Sequence, residues 1–216
     1  MTDSDLQIAV LIPCRNEERT VGEVVEGFKN VLPESVVYVY DNASTDQTAK
    51  KALEAGAVVG FEPRVGKGRV MRRMFADVEA DIYIVVDGDA TYDPADAPLM
   101  LKTLSDNNLD MVAGARTSIS QQANRKGHAF GNRMFNWLYR TLFGSGFSDI
   151  FTGYRVFSRR LVKSFPSVSS GFEIETELAV HTSQLFLPVE EVTISYAARP
   201  EGSQSKLRPY ADGFNI

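Results

Sequence analysis

The sequence is poor in cysteine and histidine and has no long apolar run, and each shortage narrows the function. A single cysteine, Cys14, leaves no intrachain disulfide and suits a reducing compartment. The two histidines, His128 and His181, stand far apart, and neither has zinc-ligand spacing to a cysteine or to the other. No Ser-His-Asp pattern stands out. No apolar run is long enough to span a bilayer, and the acidic start MTDSDLQIAVLIP lacks the positive n-region of a signal peptide. The expected location is therefore cytoplasmic, in solution or peripheral at the cytoplasmic face of a membrane. A net charge of −5 argues against general nucleic-acid binding.

One absence is local. Between Asp110 and Asp149 there is no acidic residue, yet Arg116, Arg125, Lys126, Arg133 and Arg140 all fall there. A basic stretch in an acidic protein reads either as a site for an anion or as a solvated loop and helix face.

What remains is ordinary globular composition, 44% hydrophobic and 24% charged over 216 residues, enough for one α/β domain with a substantial core. Apolar runs at Leu6–Ile12, Val36–Tyr40, Ala57–Phe61, Ile82–Val86 and Met111–Ala113 predict strands. Between them, Glu18–Val31, a segment capped by Ser44 or Thr45 and running to Ala55, and Lys67–Glu79 predict helices. Asp93-Pro94 predicts a further helix start. The second half is less regular. Phe130–Phe143 and Phe172–Gln184 read as helices, Asp149–Ser158 as extended, and Val189–Tyr196 as a half-exposed strand.

Strand–helix alternation with fully apolar strands implies a mostly parallel sheet with helices on both faces. Ligands then bind beyond the carboxyl ends of the strands. That rule gathers Pro13–Glu17, Asp41–Asp46 and Asp87–Asp89 on one rim. Asp87-Gly88-Asp89 follows a wholly apolar strand, and two carboxylates one residue apart can share a Mg²⁺ or Mn²⁺ ion with a substrate diphosphate. Gly88 allows close backbone approach. The competing reading is a plain Asp/Gly turn. Asp41 sits ahead of a helix cap, where a carboxylate can accept from a base N–H or a ribose hydroxyl. Gly66-Lys67-Gly68 opens a helix and suits a phosphate, or is simply a turn. Met71 and Arg69 exclude the dinucleotide fingerprint and the Walker A loop, respectively.

These segments resemble family 2 glycosyltransferases of the GT-A (Rossmann-like) fold, and most of all the polyprenyl (dolichyl) phosphate sugar synthases. The matching pieces are IPCRNEE at 12–18, DNASTD at 41–46, GKG at 66–68 and DGDATYDP at 87–94. GNRMFNWLYRTLFG at 131–144, SDIFTGYRVFSR at 148–159, GFEIETEL at 171–178 and RPEGSQSKLRPYADG at 199–213 follow in order. The resemblance implies that Pro13, Arg15, Glu17 and Asp41 line a nucleoside pocket. It implies that Asp87, Gly88 and Asp89 bind the metal and diphosphate, with Thr91 near the ion, where relatives often carry an amide or a histidine. Arg116, Arg199 and Lys206, with Lys67 as a further member, would embrace the donor and acceptor phosphates.

The implied enzyme is a metal-dependent hexosyltransferase that moves a sugar, with inversion, from a UDP- or GDP-sugar to a lipid phosphate. A phosphate monoester is already largely a dianion at neutral pH and needs no general base. Asp89 and Arg116 would act at the reacting phosphates, and Asp149 would orient Arg116 or serve as a base. Residues 1–198 are expected to form the catalytic domain and 199–216 a flexible basic loop or juxtamembrane segment. Phe130, Met134, Trp137, Leu138 and Leu142 form an apolar stripe beside Arg133 and Arg140, which reads as an interfacial helix or one packed on the core. In relatives the tail leads into an amphipathic segment and membrane helices, and this chain stops at Ile216, where that segment would begin. The competing functions are transfer to a soluble or polysaccharide hydroxyl, with a rim carboxylate as base, a sugar nucleotidyltransferase, and an inactive nucleotide-binding module. Pro-Cys-Arg-Asn-Glu stands where a nucleotidyltransferase carries a Gly-rich, Arg-containing loop.

Overall fold

A computed structural model describes residues 6–116, 141 and 147–199. Strand β1 (Ile8–Cys14) leads through helix α1 (Val21–Val31) to β2 (Val36–Asp41), and α2 (Thr48–Glu54) leads to β3 (Val58–Phe61). Helix α3 (Lys67–Asp77) precedes β4 (Ile82–Val85), and α4 (Ala97–Asp106) precedes β5 (Met111–Arg116). After the basic stretch come β6 (Arg155–Ser158), α5 (Arg159–Ser164), α6 (Ile174–Gln184) and β7 (Val189–Ile194). The helix expected at 130–143, His128, Lys206 and the tail beyond Arg199 lie outside the described residues.

The strands form one seven-stranded sheet in the order β3-β2-β1-β4-β6-β5-β7. β1 pairs in parallel with β2 and β4, β2 with β3, and β5 with β7. Among the described strands only β6 runs against its neighbours, β4 and β5. The sheet is thus mostly parallel, and its direction of growth reverses beside β1. Such a reversal opens a crevice at the carboxyl ends of the strands.

Alternation along the strands sorts the core into two layers. Ala9 and Leu11 of β1 face Met71, Met74 and Phe75 of α3, with Leu161 of α5 and Ile174 and Leu178 of α6. Val10 and Ile12 face Val24, Val25 and Phe28 of α1, with Ala52 of α2 and Met100 and Leu104 of α4. All four residues of β4 are buried, as a central parallel strand requires. Pro13 sits within β1, one residue before its end, at no cost to the ladder. Its nitrogen falls on the β4 side, where pairing has already ended at Leu11–Val85.

Several boundaries differ from the sequence reading, each for a local reason. α2 begins at Thr48, not after Ser44 or Thr45. The Ser44 hydroxyl instead accepts from the Asn16 N–H, and Asp46 Oδ1 accepts from the Thr48 N–H. The extended segment expected over Asp149–Ser158 is a strand only at Arg155–Ser158. The N–H groups of Ser148 and Asp149 donate to the Glu191 carboxylate and hold a turn there. The short helix α5 was not anticipated, and Ser158 caps it by accepting from the Leu161 N–H. Asp93 caps the turn at Pro94–Asp96 as its Asp-Pro pair predicts. No helix among the described residues is long and apolar enough to cross a membrane.

Phe157 is fully buried, pairs with Tyr83 and Met111 across β6, and meets Phe75 edge-on at 6.1 Å. Phe157→Ala should cost about 3–5 kcal/mol. Denaturant unfolding should show this as a lower midpoint with an unchanged slope.

Candidate active site

The ends of β1, β2 and β4 emerge side by side, so the polar segments that follow them share one rim. Each segment is bent by a non-glycine residue in the left-handed region, Asn16 at φ 52°, Ala43 at φ 55° and Ala90 at φ 57°. Such residues cost about 1–3 kcal/mol each and persist where the surroundings over-determine them. Here the surroundings are a set of reciprocal bonds between the first two loops. Thr45 N–H donates to Asn16 Oδ1 at 2.8 Å, Gln47 N–H to Glu18 Oε2 at 3.0 Å, and Glu17 N–H to Thr48 Oγ1 at 2.8 Å.

On this side of the rim Asp41 is buried. Its Oδ2 accepts from the Ser44 N–H at 3.1 Å, while its buried Oδ1 has no hydrogen-bond partner among the described residues. Arg15 Nε is likewise buried without a partner there. An unsatisfied buried acceptor and donor cost about 1–3 kcal/mol apiece, which a ligand can restore. Pro13, the penultimate residue of β1, stands next to Cys14, which pairs with Asp41. Glu17 is buried, its main chain holding the start of α1 through bonds from the Thr20 and Val21 N–H groups.

Asp87 and Asp89 follow β4. Thr20 Oγ1 donates to the Gly88 carbonyl at 2.7 Å and fixes the turn between them. Asp89 is 3% exposed, and its Oδ1 accepts from both the N–H and the hydroxyl of Thr91, the latter at 2.6 Å. Its Oδ2 meets Arg199 Nη2 at 2.7 Å. Thr91 is itself buried and acts here on the Asp89 carboxylate. Arg199 is brought in by a strap after β7. Ala197 N–H donates to the Thr91 carbonyl at 2.8 Å, Ser195 N–H donates to Asp96, and Tyr196 stacks edge-on with Tyr92.

Asp87 Oδ1 accepts from Lys67 Nζ at 2.7 Å, and the same ammonium reaches Glu175 Oε1 at 2.5 Å. Lys67 is delivered by the turn into α3. Asn42 Nδ2 donates to the Glu62 and Arg64 carbonyls, and its Oδ1 accepts from the Gly66 N–H. Gly66 has φ 147°, and a side chain there would run into the Ser170 carbonyl. Burial works against the Lys67 charge. Asp87 and Glu175 outweigh it and hold the ammonium above its ordinary range. Burial pushes the Glu175 carboxyl up, against the pull of Lys67.

Arg116 ends β5 and forks onto Asp149, with Nε to Oδ2 at 2.6 Å and Nη2 to Oδ1 at 2.7 Å. Its guanidinium lies over the Tyr196 ring at 5.2 Å. Burial opposes its charge, and the Asp149 bonds more than restore it, raising it above the usual arginine range. Glu191, Asn42, Tyr92, Gly153 and Glu175 thus support this site, although sequence reasoning did not single them out. His181 lies apart, against Phe165 and near the Ser164 hydroxyl.

Among the described residues no three His, Cys, Asp or Glu side chains gather into a metal cage. The residues present nevertheless fit a hard divalent cation that also takes substrate oxygens. The donors are two carboxylates at one strand end. Positive charge already rests against both, and the Asp87 carboxylate occupies the space that a Gly153 side chain would fill.

The sequence matches Glycosyl transferase family 2 over residues 9–165. The chain belongs to this family. It is a nucleotide-sugar-dependent glycosyltransferase with the GT-A fold. Among its relatives, Protein RfbJ of Shigella flexneri is 52% identical over 122 residues, covering 56% of this transferase and 95% of RfbJ. Glycosyltransferase AglJ of Haloferax volcanii is 35% identical over 220 aligned positions, covering 95% of this transferase and 68% of AglJ. Glucosyl-3-phosphoglycerate synthase of Mycobacterium tuberculosis, solved with Mn²⁺, uridine diphosphate and phosphoglyceric acid, superposes with a TM-score of 0.75. It is 23% identical, with 91% of this transferase and 72% of that chain covered, which speaks to the fold alone.

A Gly153→Ala variant should displace the Asp87 carboxylate from Lys67. Donor turnover should fall by about a hundredfold, the usual cost of moving a catalytic group by 1 Å. The melting temperature, measured beside the assay, should stay close to that of the parent.

Proposed function

We propose that this transferase moves a hexosyl group, with inversion, from a UDP- or GDP-sugar to a lipid monophosphate of the polyprenyl type. The observation that carries this reading is the state of the carboxylates on the basic side of the rim. Asp87 is taken by Lys67, Asp89 by Arg199 and Thr91, and Asp149 by both arms of Arg116. A hydroxyl acceptor needs a base at hand. A phosphate monoester, with its second pKa at about 6, supplies its own nucleophilic oxygen.

In this reading the nucleoside lies against Pro13, Arg15, Glu17 and Asp41, and the open oxygen of Asp41 accepts from the base or ribose. Asp87 and Asp89 hold Mg²⁺ or Mn²⁺, with Thr91 bracing Asp89. The ion would neutralise charge on the departing diphosphate. Arg116, aimed by Asp149, and Arg199 carry positive charge toward the donor and acceptor phosphates, and Lys206 joins them. The acceptor oxygen forms its bond to the anomeric carbon as the bond to the donor phosphate breaks, and that electron pair leaves on the nucleoside diphosphate. The protein's share is positioning and charge placement.

Resemblance to the polyprenyl phosphate sugar synthases supports the lipid acceptor, as does the basic stretch with its aromatic stripe. A second reading, a small phosphorylated acceptor, is supported by sequence similarity to a glucosyl-3-phosphoglycerate synthase, 41% identical over 108 residues. A third alternative is a soluble or polysaccharide hydroxyl acceptor.

The test is a screen of UDP- and GDP-sugars with Mg²⁺ or Mn²⁺, reading released nucleotide, with a short polyprenyl phosphate, phosphoglyceric acid or a neutral sugar as acceptor. Transfer to the polyprenyl phosphate alone is the expected result. Transfer only to phosphoglyceric acid or to the sugar would replace the lipid assignment. EDTA should abolish release, and Asp89→Ala should lower turnover by about 10²–10³ with an unchanged circular dichroism spectrum. The chain should co-sediment with anionic liposomes at low salt and less at high salt, since each basic residue near the leaflet adds about 1 kcal/mol.

A further inference from the structure

Three glutamates open α6 and do different work. Glu173 accepts from the Ser170 and Gly171 N–H groups, and Glu177 accepts from those of Val168 and Ser169. These two shape the loop that packs on Gly66 and Gly68. Glu175 makes neither kind of bond. It is 9% exposed, and its carboxylate accepts from Lys67 Nζ. A helix-start acid needs no such burial to favour the helix dipole.

The space beneath Lys67 is lined largely by Met71, Val85, Phe157, Ile174 and Leu178. A methionine and a leucine in place of Lys67 and Glu175 would suit those walls. Replacing buried ion pairs by packed apolar groups is often neutral or stabilising, so stability alone does not account for the charges. The charge balance does. Asp87 and Glu175 share one ammonium, so the trio keeps one excess negative charge, and it lies at the open end with Asp87, which is the more exposed of the two carboxylates.

We infer that Glu175 is a positioning residue for the donor site: it draws Lys67 partly away from Asp87, so that Asp87 keeps negative charge for a divalent cation. Lys67 is then a clamp between two carboxylates and not a ligand of the donor phosphates. Arg155 ties this arrangement to the opposite side of the site. Its Nη1 donates to the Glu175 carbonyl at 3.1 Å, and its Nη2 donates to the Ile150 carbonyl at 2.6 Å, one residue from Asp149. The inference rests on the reading of Asp87 as a metal-facing carboxylate.

The test is Mn²⁺ binding in the presence of uridine or guanosine diphosphate, read by the electron paramagnetic resonance of the free ion, with no turnover involved. Glu175→Gln keeps the size and the acceptor oxygen but gives Lys67 wholly to Asp87. It should weaken Mn²⁺ by about tenfold. Adding Lys67→Met to Glu175→Gln restores the excess negative charge and should bring Mn²⁺ affinity back to that of the parent. Lys67→Met alone should bind Mn²⁺ more tightly than the parent. The charge balance thus sets one order for all four proteins, so any two that fold test it, and thermal melts identify those that do. Glu175→Gln binding Mn²⁺ like the parent would overturn the inference. So would a double variant weaker than Glu175→Gln, which would make Lys67 a phosphate ligand. Failure of the parent to bind Mn²⁺ with either nucleotide would instead overturn the metal reading of Asp87 and Asp89, and the inference with it.

Discussion

The rim of this transferase depends on cations that the chain supplies to its own carboxylates. Asp87 and Asp89 stand one residue apart at the end of a buried strand, where two negative charges repel strongly. Lys67 comes from the start of α3 and Arg199 from beyond β7, and each lies within 2.7 Å of one carboxylate. The sheet order serves this arrangement. With β1 between β2 and β4, the loops after all three strands open together, and α3 and the strap after β7 approach from either side. A charge cluster of this kind is costly unless every member is paired, so the surrounding loops have little freedom to drift.

The same logic separates the two halves of the site. Beside the loops after β1 and β2, Asp41 and Arg15 keep buried atoms open, and the cross-links between those loops hold them in place. Around Asp87, Asp89 and Arg116 the charged groups described are engaged. Under the proposed function, a ligand would complete hydrogen bonds in the first half and take up partners already paired in the second. Binding energy gained in the first half would then be available to rearrange charge in the second.

The first half of the fold was legible because its signals are local. Apolar runs such as Ile82–Val86 end abruptly in polar residues, and parallel pairing then forces Asp41, Asp87 and Cys14 onto one edge. The supporting residues were not legible because their partners are distant. Lys67 and Glu175 are 108 residues apart, and nothing near either position signals the other. Glu191 caps a turn from 42 residues away, which no propensity at Ser148 or Asp149 could reveal. Ser44 missed its expected role for the same reason, since the Asn16 N–H from the neighbouring loop claims its hydroxyl. The antiparallel β6 is four residues long, too short for alternation to give its direction.

The left-handed backbone at Asn16, Ala43 and Ala90 has a thermal consequence. These residues sit in conformations they do not favour, and hydrogen bonds of the rim loops, some exposed and some buried, keep them there. The sheet beneath is held by two apolar layers with no such tension. On warming, the rim therefore loosens at a lower temperature than the sheet. The enzyme falls silent while most of its fold is intact, and cooling restores it, because the strands that set the rim have not come apart.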